Sequence, residues 1–195
     1  MEKNVKNILI VGVGGQGTLL TSRILADVVA DMGYEVTVSE IHGMAQRGGS
    51  VVTQVRYGEK VESPIIEKGE ADIILAFEKI ETARYLDFMK KDGMAIVNQV
   101  RIDPLPVLSG KMKYPDEITD EVEKCIANTI RINATEVAEA CGNIKVANVV
   151  IVGALAAAIG LPTDKVEEAI RRRVPAKVVD LNVVAFQKGY QLLKK

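Results

Sequence analysis

The chain is poor in the residues that build metal and redox centres: it has two cysteines and one histidine among 195 residues. Cys125 and Cys141 stand apart without C-x-x-C spacing, so this chain alone can hold neither a structural zinc nor an iron–sulfur cluster. Both thiols are expected to be buried and reduced, and any redox centre must come from a ligand or a partner. A strong charge of either sign is also missing. The formal net charge is −1, which argues against a nucleic-acid partner or an anionic membrane surface. No apolar run reaches the ~18–20 residues of a membrane span; the nearest, Val146 to Ile159, is too short and reads as a buried helix. Met1-Glu2-Lys3-Asn4 lacks the apolar core of a signal peptide, so a cytosolic location is expected. Repeats and low-complexity linkers are absent, and a single domain over residues 1–195 is expected.

What is present begins with Ile8-Leu9-Ile10-Val11-Gly12-Val13-Gly14-Gly15-Gln16-Gly17-Thr18. An apolar run of buried-strand length passes through four glycines into an amphipathic segment, Thr18 to Met32, of helical length. Gly12, Gly14 and Gly17 fall in G-x-G-x-x-G register. That register supplies a tight turn, a backbone that a phosphate can approach, and a helix N-terminus that favours an anion. The same glycines can instead serve close strand–helix packing, and the spacing alone leaves both readings open.

Gly33 is placed to end the helix, and residues 34–40 alternate like a second strand, predicting a right-handed β-α-β unit with parallel strands. Glu40 lies about where a dinucleotide-binding fold holds a ribose, which keeps an NAD-binding dehydrogenase open as an alternative. The next stretch, His42-Gly43-Met44-Ala45-Gln46-Arg47-Gly48-Gly49-Ser50, gathers the only histidine, an arginine and three glycines in one loop. Gly48 and Gly49 allow close backbone approach and Arg47 offers a guanidinium for phosphate or carboxylate. Arg47 is equally at home in solvent, and His42 as a local cap or filler.

Further strands are expected at 51–57, 71–77, 94–98 and 128–132, with a short one near Val107-Leu108. A helix is expected from Glu78 to about Lys90, then a turn at Lys91-Asp92-Gly93. Helices are also read at 116–124, 134–141, from Thr163, and from 176 to 193. Asn133 with Glu136, and Asp164 with Glu167, have capping-box spacing. Arg171-Arg172-Arg173 fits a helix C-terminus or the docking of an acidic partner or phosphates. Strands alternating with helices make the fold class α/β: a Rossmann-like, three-layer arrangement with a mostly parallel sheet and a helical C-terminal part. The glycine turn, Glu40 to Arg47, Glu78 and Asn98-Gln99 all fall at strand carboxyl ends, where one crevice can collect them.

Together, Gly12-Val13-Gly14-Gly15-Gln16-Gly17, the His42–Ser50 loop and Ser63-Pro64 closely resemble the gamma-type domain of the 2-oxoacid:ferredoxin oxidoreductases. The His42–Ser50 version is similar to that of the indolepyruvate branch. The likeness covers essentially the whole chain, including Leu75-Ala76-Phe77-Glu78 and Ile96-Val97-Asn98. It implies a subunit inactive alone, in a complex that converts an aryl pyruvate to an arylacetyl-coenzyme A and passes electrons to ferredoxin. It also implies that thiamine diphosphate, its magnesium and the iron–sulfur clusters belong to a large partner subunit. The two-cysteine count and the lack of a G-D-G motif agree with that division. Gly12, Gly14, Gly15, Gln16 and Gly17, with Arg47, Gly48, Gly49 and His42, are then the residues expected at a shared coenzyme A cleft. No residue of this chain is expected to do acid–base catalysis or bind a metal. A purely structural assembly subunit is the other alternative.

Overall fold

The computed structural model describes residues 5–42 and 49–194, with His42 described only in its backbone. The mostly parallel α/β sheet expected from the sequence is observed. β1 (Lys6–Val13), β2 (Glu35–His42), β3 (Ser50–Gly58), β4 (Ala71–Ala76), β5 (Met89–Asn98) and β6 (Thr129–Ile132) form one sheet in the order β2-β3-β1-β4-β5-β6. β1, β4, β5 and β6 pair in parallel, while β3 runs antiparallel to both β1 and β2.

β1 is buried on both sides, as a central strand of a three-layer fold must be. Ile8 and Ile10 face one helical layer and Leu9 and Val11 the other, all at 0% exposure. The first layer holds α1 (Thr18–Asp31), α5 (Ala134–Ala140), α6 (Ala147–Ile159), α7 (Thr163–Arg173) and α8 (Val179–Gln191). The second and thinner layer holds α2 (Lys79–Arg84) and α4 (Ile118–Cys125). The apolar run from Val146 is indeed a buried helix, α6, and α8 crosses it with backbone nearly touching backbone. A Cβ on Gly153 would lie 2.2 Å from the Phe186 carbonyl oxygen, and one on Gly189 2.0 Å from that of Val150.

Several local expectations are corrected. The strand beside β1 is β3, not β2: the chain returns after β2 and zips antiparallel along all of β1, from Val13–Ser50 to Lys6–Tyr57. β1 and β2 therefore point the same way without pairing. The helix expected to run to Lys90 ends at Arg84, a short 3-10 turn covers Leu86–Phe88, and β5 begins at Met89. Gly93 is no turn. It sits inside β5, where the Ala71 and Asp72 carbonyls come within 3.1 Å of any Cβ placed there. Residues Leu105–Leu108 form a helical turn, α3, rather than a strand, because Pro104 and Pro106 suit a helix start. Neither capping box forms: the N-caps of α5 and α7 make no side-chain cap bond. Cys141 is half-buried and Cys125 exposed, so the expectation of two buried thiols fails.

Gly33 ends α1 as expected, with φ of 89° and the Tyr34 N–H donating back to the Val29 carbonyl. The triple-arginine cluster is tied inside the chain. Arg173 grips both oxygens of Asp27 at 2.5 and 2.7 Å, Arg172 reaches Asp31, and Arg171 lies 3.9 Å from Asp180. It joins the end of α7 to α1 and α8, which favours the charge-placement reading over partner docking.

Candidate functional site

The carboxyl ends of β1, β4 and β5 meet at the glycine turn, where open parallel sheets gather ligands. Gly12 serves packing: a Cβ there would lie 2.9 Å from both the Gln16 Oε1 and the Phe77 Cβ. The Gln16 side chain is a strut. Its Oε1 accepts the Val13 N–H at 2.7 Å, and its Nε2 donates to the Phe77 carbonyl at 3.0 Å. Asn98 braces the same carbonyl at 3.3 Å and accepts the Ala134 N–H at 2.9 Å.

The backbone donors divide into two groups. Gly14 N–H donates to the Gly49 carbonyl at 2.9 Å and Gln16 N–H to the Val13 carbonyl at 3.2 Å, so these two are used within the chain. The N–H groups of Gly15, Gly17, Thr18 and Leu19 meet no acceptor among the described residues. Gly17 caps α1 with φ of 87°, and a Cβ on it would press to 2.5 Å from the Asn148 Nδ2. Nothing lies within 4 Å of the Cβ position on Gly15. Gly15 and Gly17 edge a cleft of about 500 Å3 whose other wall includes Thr135, Lys145 and Asn148.

Of the remaining expected site residues, Gly49 meets the glycine turn through its carbonyl. His42 ends β2 opposite Val51, its side chain lying outside the described residues. Arg47 and Gly48 also lie outside them. Glu40 is separated from β1 by the whole of β3 and receives the Ser22 hydroxyl at 3.4 Å, which removes the ribose position that the dehydrogenase alternative needed.

Beside the cleft, the first turn of α2 binds two loops. Glu78, 1% exposed, N-caps the helix by accepting from Glu81 N–H at 3.1 Å. It also accepts from Ile102 N–H at 3.2 Å and from the Tyr114 hydroxyl at 2.5 Å. Its helix N-terminal role was legible from sequence. The buried Glu81 accepts from the Ser50 hydroxyl, one residue beyond Gly49, and from Arg84 at 3.2 Å. Burial first, and then the bond to Glu78, push the Tyr114 phenol above its ordinary value of 10.0. A group whose pKa rises on folding stabilises the fold fully below its unfolded value and loses that contribution as pH climbs through the folded one. Tyr114→Phe is therefore expected to cost about 2 kcal/mol at neutral pH. It should also flatten the loss of stability above pH 10, as read by urea unfolding between pH 7 and 11.

Lys145, Asn148 and Tyr114 were not singled out by sequence reasoning. Asn148 left a signal: one amide side chain at the start of an otherwise apolar run.

Residues 7–192 match the protein family described as pyruvate ferredoxin/flavodoxin oxidoreductase. The indolepyruvate oxidoreductase subunit IorB of Archaeoglobus fulgidus is 45% identical over 94% of this chain and 93% of its own length. The fold is similar to the crystal structure of the keto/oxoacid ferredoxin oxidoreductase gamma subunit from Geobacter sulfurreducens. That match has a TM-score of 0.72 and 26% identity, and covers 96% of this chain and 98% of the other. It is also similar to 2-oxoglutarate:ferredoxin oxidoreductase from Magnetococcus marinus, solved with 2-oxoglutarate, coenzyme A and succinyl-CoA bound. There the TM-score is 0.76 at 20% identity, over 99% of this chain and 32% of that one.

Proposed function

The chain belongs to the pyruvate ferredoxin/flavodoxin oxidoreductase family, and we propose that it is the small subunit of an indolepyruvate-type 2-oxoacid:ferredoxin oxidoreductase. The complex oxidatively decarboxylates an aryl pyruvate. It releases carbon dioxide, joins the arylacetyl group to the coenzyme A sulfur, and passes two electrons to ferredoxin. The large partner subunit carries thiamine diphosphate, magnesium and the iron–sulfur clusters, and the assembly works in the cytoplasm. Within it, this chain supplies part of the coenzyme A cleft.

One observation carries that assignment. Gly15 and Gly17 edge an open cleft at the positive end of a 14-residue helix, and their N–H groups, with those of Thr18 and Leu19, meet no acceptor among the described residues. Such a corner fits a phosphate. Coenzyme A, when bound, supplies the thiol that takes up the acyl group; this chain's residues hold and orient its anionic part. Gly15 and Gly17 do so with backbone donors, Arg47 with charge, and Gly48 and Gly49 by leaving room. His42 is assigned no acid–base duty. Gly12 and Gly14 support the corner by packing and bonding inward, and Gln16, which lines the cleft, braces it with its side chain.

A charge-assisted contact is worth about 1.5–3 kcal/mol, or roughly 10- to 100-fold in affinity. Arg47→Ala in the reconstituted complex is expected to raise the coenzyme A KM by that factor with subunit assembly intact. An unchanged KM in an assembled complex rejects the role given to Arg47.

A further inference from the structure

A second cleft, of about 580 Å3, opens at the opposite end of the sheet, where β1, β2, β4 and β5 begin. That volume falls within the range of small-molecule sites. α1 and α6 each start at the glycine-turn cleft and finish here, at Met32 and at Ile159, so the two clefts stand about 20 Å apart along those helices.

Part of the lining is apolar and aromatic. The Tyr34 and Tyr57 rings lie 5.7 Å apart, centroid to centroid, with Met32 and Leu161 beside them. Met32 and Tyr34 remain 36% and 39% exposed, an open contact surface for a further ring. Neither tyrosine hydroxyl has a hydrogen-bond partner among the described residues. Burial first, then Tyr34 and Asp72, raise the Tyr57 phenol above its ordinary value of 10.0, so it is a donor at neutral pH.

The charged part of the lining is balanced in sum and divided in place. Asp72, with 15% side-chain exposure, accepts the Asn7 N–H at 2.9 Å and faces two lysines, Lys90 at 3.2 Å and Lys6 at 4.0 Å. One carboxylate between two ammonium groups leaves a positive charge in excess. Glu59, exposed on the rim, has no partner among the described residues and supplies the matching negative charge. A ligand that satisfies both must carry both signs, and the tyrosine pair asks it for an apolar body.

We propose that this cleft binds a free amino acid with an aromatic side chain. Its carboxylate takes up the surplus lysine charge, its ammonium meets Glu59, and its ring lies against Tyr34 and Tyr57. The site does not depend on the coenzyme A reading, since it uses the other ends of α1 and α6.

The test is calorimetry on the full chain without its partner, which keeps any 2-oxoacid pocket of the large subunit out of the measurement. Phenylalanine is titrated beside leucine, which lacks the ring, phenylpropionate, which lacks the ammonium, and phenethylamine, which lacks the carboxylate. Phenylalanine is expected to bind at least about fivefold more tightly than any of the three. Glu59→Gln, at an exposed position, should weaken phenylalanine at least about fivefold and leave phenylpropionate where it was. Tyr34→Leu should weaken phenylalanine and leave leucine unchanged. Absence of phenylalanine binding at millimolar concentration overturns the proposal. So does equal affinity for leucine, or a phenylalanine affinity that Glu59→Gln leaves unaltered.

Discussion

Replacing Gly189 with alanine is expected to lower the thermal unfolding midpoint of this chain by roughly 6–12 °C. The reason lies in the crossing of α6 and α8. A Cβ on Gly189 would stand 2.0 Å from the Val150 carbonyl oxygen, and one on Gly153 2.6 Å from the Tyr190 nitrogen. In both cases the obstacle is backbone, which no rotamer change can move aside. The helices must separate, and the surfaces that separate are dense: Val149, Val150, Leu155 and Phe186 are at most 1% exposed. Overpacking in a close-packed interior costs about 1–3 kcal/mol, occasionally more, and a contact between two helix backbones belongs at the upper end. At about 3 kcal/mol, a chain of this size loses about 2–4 °C per kcal/mol. Circular dichroism melts of Gly189→Ala and Gly153→Ala read this directly. A midpoint within about 2 °C of the native chain would mean that the helices can part without loss, contrary to this packing.

The second large effect is functional. Gly17→Ala is expected to raise the coenzyme A KM of the complex at least tenfold while leaving the KM for the 2-oxoacid unchanged. Two causes add. Gly17 holds φ of 87°, where a side chain costs about 1–2 kcal/mol. The added methyl also runs into the Asn148 amide at 2.5 Å, so the turn and the start of α6 cannot keep their spacing. Gly33→Ala provides the control. Its φ is 89°, its Cβ would meet nothing within 4 Å, and it lies at the far end of α1. Gly33→Ala should show the backbone strain as lost stability alone, with the coenzyme A KM unmoved. If both variants shift the KM equally, strain and not the corner's geometry is the cause.

What the sequence disclosed and what it hid divide along the range of the interactions. β1, the glycine turn and α1 rest on local patterns: an apolar run, glycines at fixed offsets, and a left-handed glycine at the helix end. Those elements appear where the sequence places them. The insertion of β3 between β1 and β2 rests on an antiparallel pairing about 45 residues apart in the chain, which no local window contains. A nearest-neighbour β-α-β unit would set Glu40 beside the glycine turn as a ribose ligand, and the inserted β3 keeps it away. α2 was overrun because Tyr85, Leu86 and Met89 have helical spacing, yet Met89 pairs with Ala71 in the sheet. At the site, the glycines were visible and their division of labour was not. Gly12 and Gly14 are packed or bonded inward, and this depends on Phe77 and Gly49, far along the chain. Asn148 is hidden for the same reason: it meets Gly17 only through the packing of α6 on the sheet.

In the proposed complex the turn after β1 holds the phosphate end of coenzyme A. Hydrogen–deuterium exchange of the reconstituted complex, with and without saturating coenzyme A, tests it at the backbone itself. The amides of residues 15–19 that lack protein acceptors are predicted to exchange more slowly once coenzyme A is added, while those at the Gly33 end of α1 keep their rates. Exchange across residues 15–19 that is the same with and without coenzyme A would contradict the claim.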